Sequence, residues 1–195
     1  MPTKPPDDRR AALADAGLDL LAAEGMRGLT HRAVDRAAGT PDGTCSNYFR
    51  TRAALVEALA HRLFYRLTPD QAALDAEANA PPTRDQWVKL MLALVHRART
   101  QPGLHIALWE LRLEATRRPE IVPVLTEVVR HNFDLDVAFH RLTGLPGGSD
   151  EIRLLHFALN GLILEAITLP DALGPWDLEQ AVADIVDRLV YSESR

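Results

Sequence analysis

A chain of 195 residues that is 47% apolar, 6% aromatic and 25% charged is neither disordered, collagen-like nor disulfide-stapled, and it is long enough to bury about two-thirds of its unfolded surface in one or two compact domains. The net charge of −5 conceals an asymmetry: ten cations face eight anions through Leu67, which leaves −7 for the remainder, so the basic first third stays a candidate for a polyanionic partner. The longest nearly apolar stretch, Leu154 to Leu169, is interrupted by His156, Asn160 and Glu165 and falls short of the roughly 20 residues a membrane span needs. Met1 to Asp8 hold no apolar core that could act as a signal peptide, and Cys45 has no second cysteine to pair with. Together these features predict a protein without a transmembrane helix in a reducing, cytoplasmic location.

Apolar residues recur at three- and four-residue spacing along most of the chain, and nothing alternates for a strand's length, so the predicted fold class is all-α. Residues 1–7 read as a disordered arm. A first helix is expected from about Asp8 to Glu24, with Leu13, Ala16, Leu20 and Leu21 on its apolar face and Gly25 closing it. Thr30 can cap a short second helix through Ala38, which Gly39 ends; Thr40 and Pro41 then supply the cap and first residue of a third, running to about Tyr48. Thr51 caps a fourth with the stripe Leu55, Leu59, Leu63 and Leu67, and Thr68-Pro69-Asp70-Gln71 predicts a break. Thr83 opens a helix carrying Trp87, Leu90, Met91 and Leu94, ended by Pro102-Gly103. Helices over Leu104 to Arg118 and Pro119 to about Arg141 follow, then one from Ser149 to near Leu169 and a last one capped by Asp177.

Two short helices joined at Gly39 form a helix-turn-helix pattern. Val34, Ala37 and Ala38 are expected to face inward with Cys45 and Phe49, while Asp42, Gly43, Thr44, Ser46, Asn47 and Tyr48 are left toward solvent. A short polar helix of that kind fits the DNA major groove, where Asn and Thr can read base edges. The run Gly39-x-Pro41-x-Gly43-Thr44-x-x-x-Tyr48-Phe49-x-x-Arg52-x-x-Leu55 resembles the DNA-binding domain of the TetR (tetracycline-repressor-like) family. Upstream, Ala16-x-x-x-Leu20-Leu21-x-x-x-Gly25 followed by Leu29-Thr30 resembles that family's first helix and the start of its second, and residues 11–63 fit without a gap.

The resemblance implies an N-terminal three-helix helix-turn-helix domain over 8–55, a linking helix over 51–67, and a helical bundle over 68–195 for effector binding and dimerisation. It implies a homodimer on double-stranded DNA with a palindromic operator, acting as a transcriptional repressor that a small-molecule effector releases. By position, Thr30 and Thr51 resemble phosphate-contacting caps, Arg52 a basic phosphate contact and Tyr48 a backbone contact. Thr40, Gly43, Thr44, Ser46 and Asn47 occupy contact positions of the recognition helix, and Arg32 joins this DNA-binding set. Asp42 departs from the pattern, which has a lysine or small polar group there; it either favours the helix N-terminus through the dipole or accepts a hydrogen bond from a cytosine.

Trp87, Met91, His105, Trp109, Leu113, Phe133 and His156, with Phe139, fall where the family encloses its effector, although each could equally be core. Ile152, Leu155, Leu159, Leu162, Ile163 and Ala166, with Val182, Ile185, Val186 and Leu189, are more apolar than one buried face requires and predict a four-helix interface across a two-fold axis. Glu110, Glu114, Arg117 and Arg118 read as a solvated helix surface. Cys45 reads as a small buried packing residue. The seven histidines show no metal-ligand spacing, and no phosphate loop or nucleophile elbow is present. Neither a cofactor, a metal nor an enzymatic activity is therefore expected. Two readings of other classes stay open here: an all-helical small-molecule-binding protein or enzyme without DNA binding, and a dimeric adaptor that binds only protein.

Overall fold

The computed structural model describes residues 8–191, and every regular element in them is helical. The arm expected over 1–7 lies outside the described residues. In chain order the elements are α1 (Asp8–Gly28), α2 (His31–Ala37), α3 (Thr44–Tyr48), α4 (Arg52–Leu67), α5 (Gln71–Ala78), α6 (Arg84–Thr100) and α7 (Pro102–Ala115). After them come a 3₁₀ turn (Pro119–Ile121), α8 (Val122–Thr143), α9 (Ser149–Thr168), α10 (Leu178–Val186) and a wide final turn over Asp187–Tyr191. Among the described residues no helix is long and apolar enough to cross a membrane.

Most helix starts follow from local capping chemistry. Thr30, Thr51 and Thr83 stand in extended backbone, and their hydroxyls accept from the N–H of Ala33, Ala54 and Gln86; Asp177 does the same for Gln180. The break after α4 is real, but Asp70 caps α5 by accepting from Ala73 N–H, whereas Thr68 turns its hydroxyl back to Phe64 O. At Pro102 the order is reversed from expectation: the proline opens α7 instead of closing α6, because a first-turn residue needs no intrahelical N–H partner. Gly25 does interrupt α1, yet the chain resumes helical geometry through Gly28.

The chain divides into two compact units. One comprises the residues through Thr68 together with Gly103–Asn132; the other comprises Pro69–Pro102 and the chain from Phe133. Segment Gly103–Asn132, which lies beyond the sequential cut at 68, therefore packs with the amino-terminal helices. In the first unit Leu13, Leu18 and Leu21 of α1, Val34 of α2, and Leu55, Val56, Leu59 and Leu63 of α4 share one core with Leu104, Ala107, Leu108 and Leu111 of α7. Leu18 and Gly17 take the inward positions expected of Ala16 and Leu20, both of which are half-buried. Across this core Arg62 grips Asp15 through two nitrogens at 2.9 and 2.7 Å, which clamps α4 to α1.

The second unit is built around Trp87, which packs with Leu145, Leu155 and Val186. Its ring stacks on His140 at 4.9 Å, its Nε1 donates to Pro146 O at 3.2 Å, and His140 Nε2 meets Gly147 O at 3.1 Å. The two rings thereby hold the glycine-rich turn that enters α9. At the far end Arg84 binds both carboxylate oxygens of Asp187 at 2.6 and 2.8 Å, fastening the start of α6 to the final turn.

Candidate nucleic-acid interface

α3, the expected recognition helix, is shorter than its sequence suggests, and a side chain from the preceding helix explains why. Asp35 lies on the inward face of α2 and is 1% exposed. Its Oδ2 accepts from Gly43 N–H at 2.8 Å, and its Oδ1 accepts from Cys45 N–H at 2.6 Å and from the Thr40 hydroxyl at 3.2 Å. This single carboxylate supplies the N-terminal cap of α3 from another helix, so α3 starts at Thr44 after Gly43, not at Pro41 after Thr40. Gly39 and Gly43, with φ of +63° and +90°, provide the two left-handed positions that let the connecting turn double back under Asp35. The far end of α3 is fixed to α2 as well, where His31 Nε2 meets Phe49 O at 2.6 Å. Cys45 and Phe49 are fully buried beneath the motif, as expected, whereas Ala37 is exposed. Burial, and secondarily the Asp35 carboxylate, push the Cys45 thiol up to about 11.

These bonds sort the expected DNA-contacting side chains. Asn47 is exposed, and among the described residues its carboxamide has no protein partner. Ser46 is exposed, with its hydroxyl donating to Gly43 O at 2.9 Å, and Thr44 donates to Pro41 O at 2.6 Å. Thr30 and Thr51 are exposed and use only their oxygen as cap acceptors, so each hydroxyl proton remains available to an outside acceptor such as a phosphate oxygen. Tyr48 is half-buried beside Phe49. Thr40 and the Gly43 N–H are engaged by Asp35 and serve the turn.

Two positions differ from expectation. Arg52 does not reach outward: its Nη1 and Nη2 donate to Leu29 O and Met26 O at 2.9 and 2.7 Å, so its guanidinium braces the junction between α1 and α2. Asp42 stands before the helix whose first turn it was expected to favour through the dipole, and pairs with Arg32, Nε to Oδ2 at 3.3 Å and Nη2 to Oδ2 at 3.2 Å. Both partners are largely exposed, which places this pair among surface bridges worth about 0–1 kcal/mol. Sequence reasoning missed Asp35 altogether. The available signal was an acidic residue beside Val34 on an otherwise apolar face; the cap is formed between helices and carries no local i, i+3 signature.

The helix-turn-helix, whose short second helix carries Asn47, unpartnered among the described residues, lies within a segment that matches a known family. A family model described as bacterial regulatory proteins, tetR family, matches residues 13–59, and one described as tetracyclin repressor-like, C-terminal domain, matches residues 82–192. The chain belongs to the tetR family. Solved structures agree across nearly the whole length. The multidrug binding protein EbrR in complex with imidazole is 27% identical with a TM-score of 0.66, the similarity covering 96% of this chain and 98% of that one. A member of the TetR family from Streptomyces coelicolor A3 is 25% identical with a TM-score of 0.68, covering 94% and 99%. A transcriptional regulator from Rhodococcus sp. Rha1, 20% identical with a TM-score of 0.69 over 92% and 95%, shares the fold. No curated protein matches the chain.

For this tetR-family chain, the candidate effector residues fall into separate places. Trp87, 2% exposed, belongs to the core of the second unit and is corrected to a packing residue. Met91 packs partly buried against the same core. Phe133 and His156 meet edge to face at 6.4 Å, and Phe139 is half-buried nearly two turns further along α8. His105 and Trp109 meet at 6.2 Å on α7, and Leu113 beyond them is 50% exposed; these three belong to the first unit.

The side chains of the expected dimer stripe are divided between the core and its margin. Leu155, Leu159, Ile163, Val182 and Val186 are buried inside the subunit, and Ile152, Ile185 and Leu189 pack against the Trp87 core, while Leu162 and Ala166 are half-buried on that same side of α9. The fully buried ones have no surface to offer a partner, whereas the half-buried ones keep part of theirs. The opposite face of α9 carries Leu154, Phe157 and Leu164, 48%, 63% and 40% exposed, with exposed Gly161 between them.

Proposed function

We propose that this protein is a homodimeric, sequence-specific repressor whose α3 reads the major groove and whose release from a palindromic operator follows binding of a small molecule by the residues after Thr68. The observation that carries the DNA-reading half is the Asp35 staple. A five-residue helix has no independent stability, and a buried three-bond cap on it is intelligible as the means of holding Ser46 and Asn47 in a fixed outward pose. Thr30 and Thr51, capping α2 and α4, would donate to phosphates at either side of the reading helix. Arg52 would support this surface from within.

The dimer would form on the exposed stripe of α9. Leu154, Phe157, Gly161 and Leu164 recur at helical spacing on one face, and the glycine permits close approach of a second helix. Effector binding is supported by the family's C-terminal model and by the ligand in the multidrug binding protein. Release would be a population shift: an effector that prefers dimers with their reading heads misplaced lowers DNA affinity by the same coupling free energy.

The test is a binding titration of wild type and Asn47→Ala against a duplex selected by the protein and a random duplex. The variant should lose about 5- to 150-fold on the selected site, the range of one lost base-specific contact of about 1–3 kcal/mol, and little on random DNA. Equal loss on both duplexes, or none on either, contradicts the assignment of α3 as the reading helix.

A further inference from the structure

Away from the DNA-facing surface, one polar contact joins α7 to the end of α1. Glu110 is half-buried, and its Oε2 accepts from Met26 N–H at 3.3 Å. The same oxygen lies 3.2 Å from where a Cβ on Gly25 would stand. Gly25 holds a φ of +66°, a conformation that L side chains enter only at a cost, so the carboxylate sits on bare backbone at a left-handed break in α1. Apolar packing fixes α7 in that place: Gly103 adjoins Ala22, and Leu104, Leu108 and Leu111 share the core of Leu18 and Leu21.

The segment from Gly25 to Leu29 is held from a second side by Arg52, which binds the carbonyls of Met26 and Leu29. A carboxylate therefore takes one N–H of this segment and a guanidinium takes two of its carbonyls. Directly after it comes Thr30, which caps α2, and α2 carries the Asp35 staple to α3. The path from Glu110 to the reading helix is thus continuous: carboxylate, left-handed junction, capped helix, stapled turn.

We propose that Glu110 is a positioning residue for DNA reading: from α7 it fixes the Gly25–Leu29 junction, so that the placement of α7 sets the pose in which α2 and α3 meet the duplex. The inference rests on the DNA-binding reading and deepens it. α7 follows α6 after the single residue Gln101, so a shift of α7 in response to an effector would reach the reading head through this carboxylate.

The test uses the full-length protein with a duplex bearing the site it selects and a random duplex. Glu110→Ala should weaken binding to the selected site by about 3- to 30-fold and speed amide exchange at Met26. Binding to random DNA and its salt dependence should stay as in wild type, because Glu110 touches no phosphate. Glu110→Gln, whose amide oxygen still accepts from Met26 N–H, should restore most of the lost affinity. Unchanged affinity for the selected site in Glu110→Ala overturns the proposal, and so does an equal loss on both duplexes, which marks a folding defect. A Met26 amide that exchanges freely in wild type also overturns it, a measurement that needs no variant to fold. Should wild type itself prefer no site over random DNA, the DNA-binding reading fails, while Met26 exchange still reports whether the latch exists.

Discussion

Removing the Asp35 carboxylate is the sharpest perturbation of the reading head. In Asp35→Ala the buried Cys45 N–H and the half-buried Gly43 N–H lose their acceptor, while Thr40 keeps a second one in Asp35 O at 3.3 Å. An unpaired buried donor costs about 1–3 kcal/mol. Two of them, together with a small cavity, give an expected loss of about 3–5 kcal/mol, set against the 5–15 kcal/mol that a folded domain holds in total. At about 2–4 °C per kcal/mol for a chain of this length, the melting temperature should fall by about 6–20 °C. Asp35→Asn keeps one acceptor oxygen but turns an NH₂ toward a backbone donor, so it should fall between wild type and Asp35→Ala. Thermal unfolding gives the stability, and a thiol reagent gives the local readout, because Cys45 is fully buried only while α3 is held in place. An Asp35→Ala protein that melts within about 2 °C of wild type and keeps Cys45 unreactive would refute the staple.

Other consequences can be checked separately. Asp42→Lys removes the partner of Arg32 and adds a cation, so affinity for random DNA should rise and the salt dependence of binding steepen; an unchanged slope rejects a phosphate-facing position for this pair. Phe157→Glu places a charge in the middle of the exposed α9 stripe and should yield a monomer by sedimentation with helical content intact, whereas Leu155→Ala, buried in the subunit, should instead cost about 2–5 kcal/mol of stability. Native Cys45 should resist alkylation at pH 8, since burial holds its thiol near 11. Because the folded state raises that thiol above its ordinary value near 9, its contribution to stability is complete below pH 9 and declines as pH rises through about 11; alkylation at the rate of a free thiol at pH 8 would show that α3 is not closed over it.

Local chemistry is legible in the sequence at four of the caps that act on their own helix, but not at Asp70, which takes the cap of α5 that the pattern offers to Thr68. Thr30, Thr51, Thr83 and Asp177 each bond a backbone N–H three residues on, and each was placed correctly from spacing alone. Thr40-Pro41 looks like the same signal, but Asp35 competes for the turn from across the motif and delays the helix to Thr44. The apolar stripe of Ile152, Leu155, Leu159, Leu162, Ile163 and Ala166 is legible in α9, but that it faces the subunit's own core follows only from the packing of Leu155 against Trp87. Glu110 and Glu114 read as solvated because Glu114 precedes Arg118 by four and the two arginines sit at a helix end. In the fold Glu110 sits on Gly25, and Glu114, 6% exposed, is enclosed while it pairs with Arg117 and Arg118. Such outcomes depend on residues distant in the chain, which periodicity does not register.

Selection of bound duplexes from random DNA by the full-length protein tests the central claim most directly. Two symmetric reading heads, each presenting Ser46 and Asn47, predict enrichment of an inverted repeat whose half-sites lie about 34–36 Å, or a multiple of that, apart. Recovery of no enriched sequence, or of a single unrepeated element bound by one subunit, would contradict it.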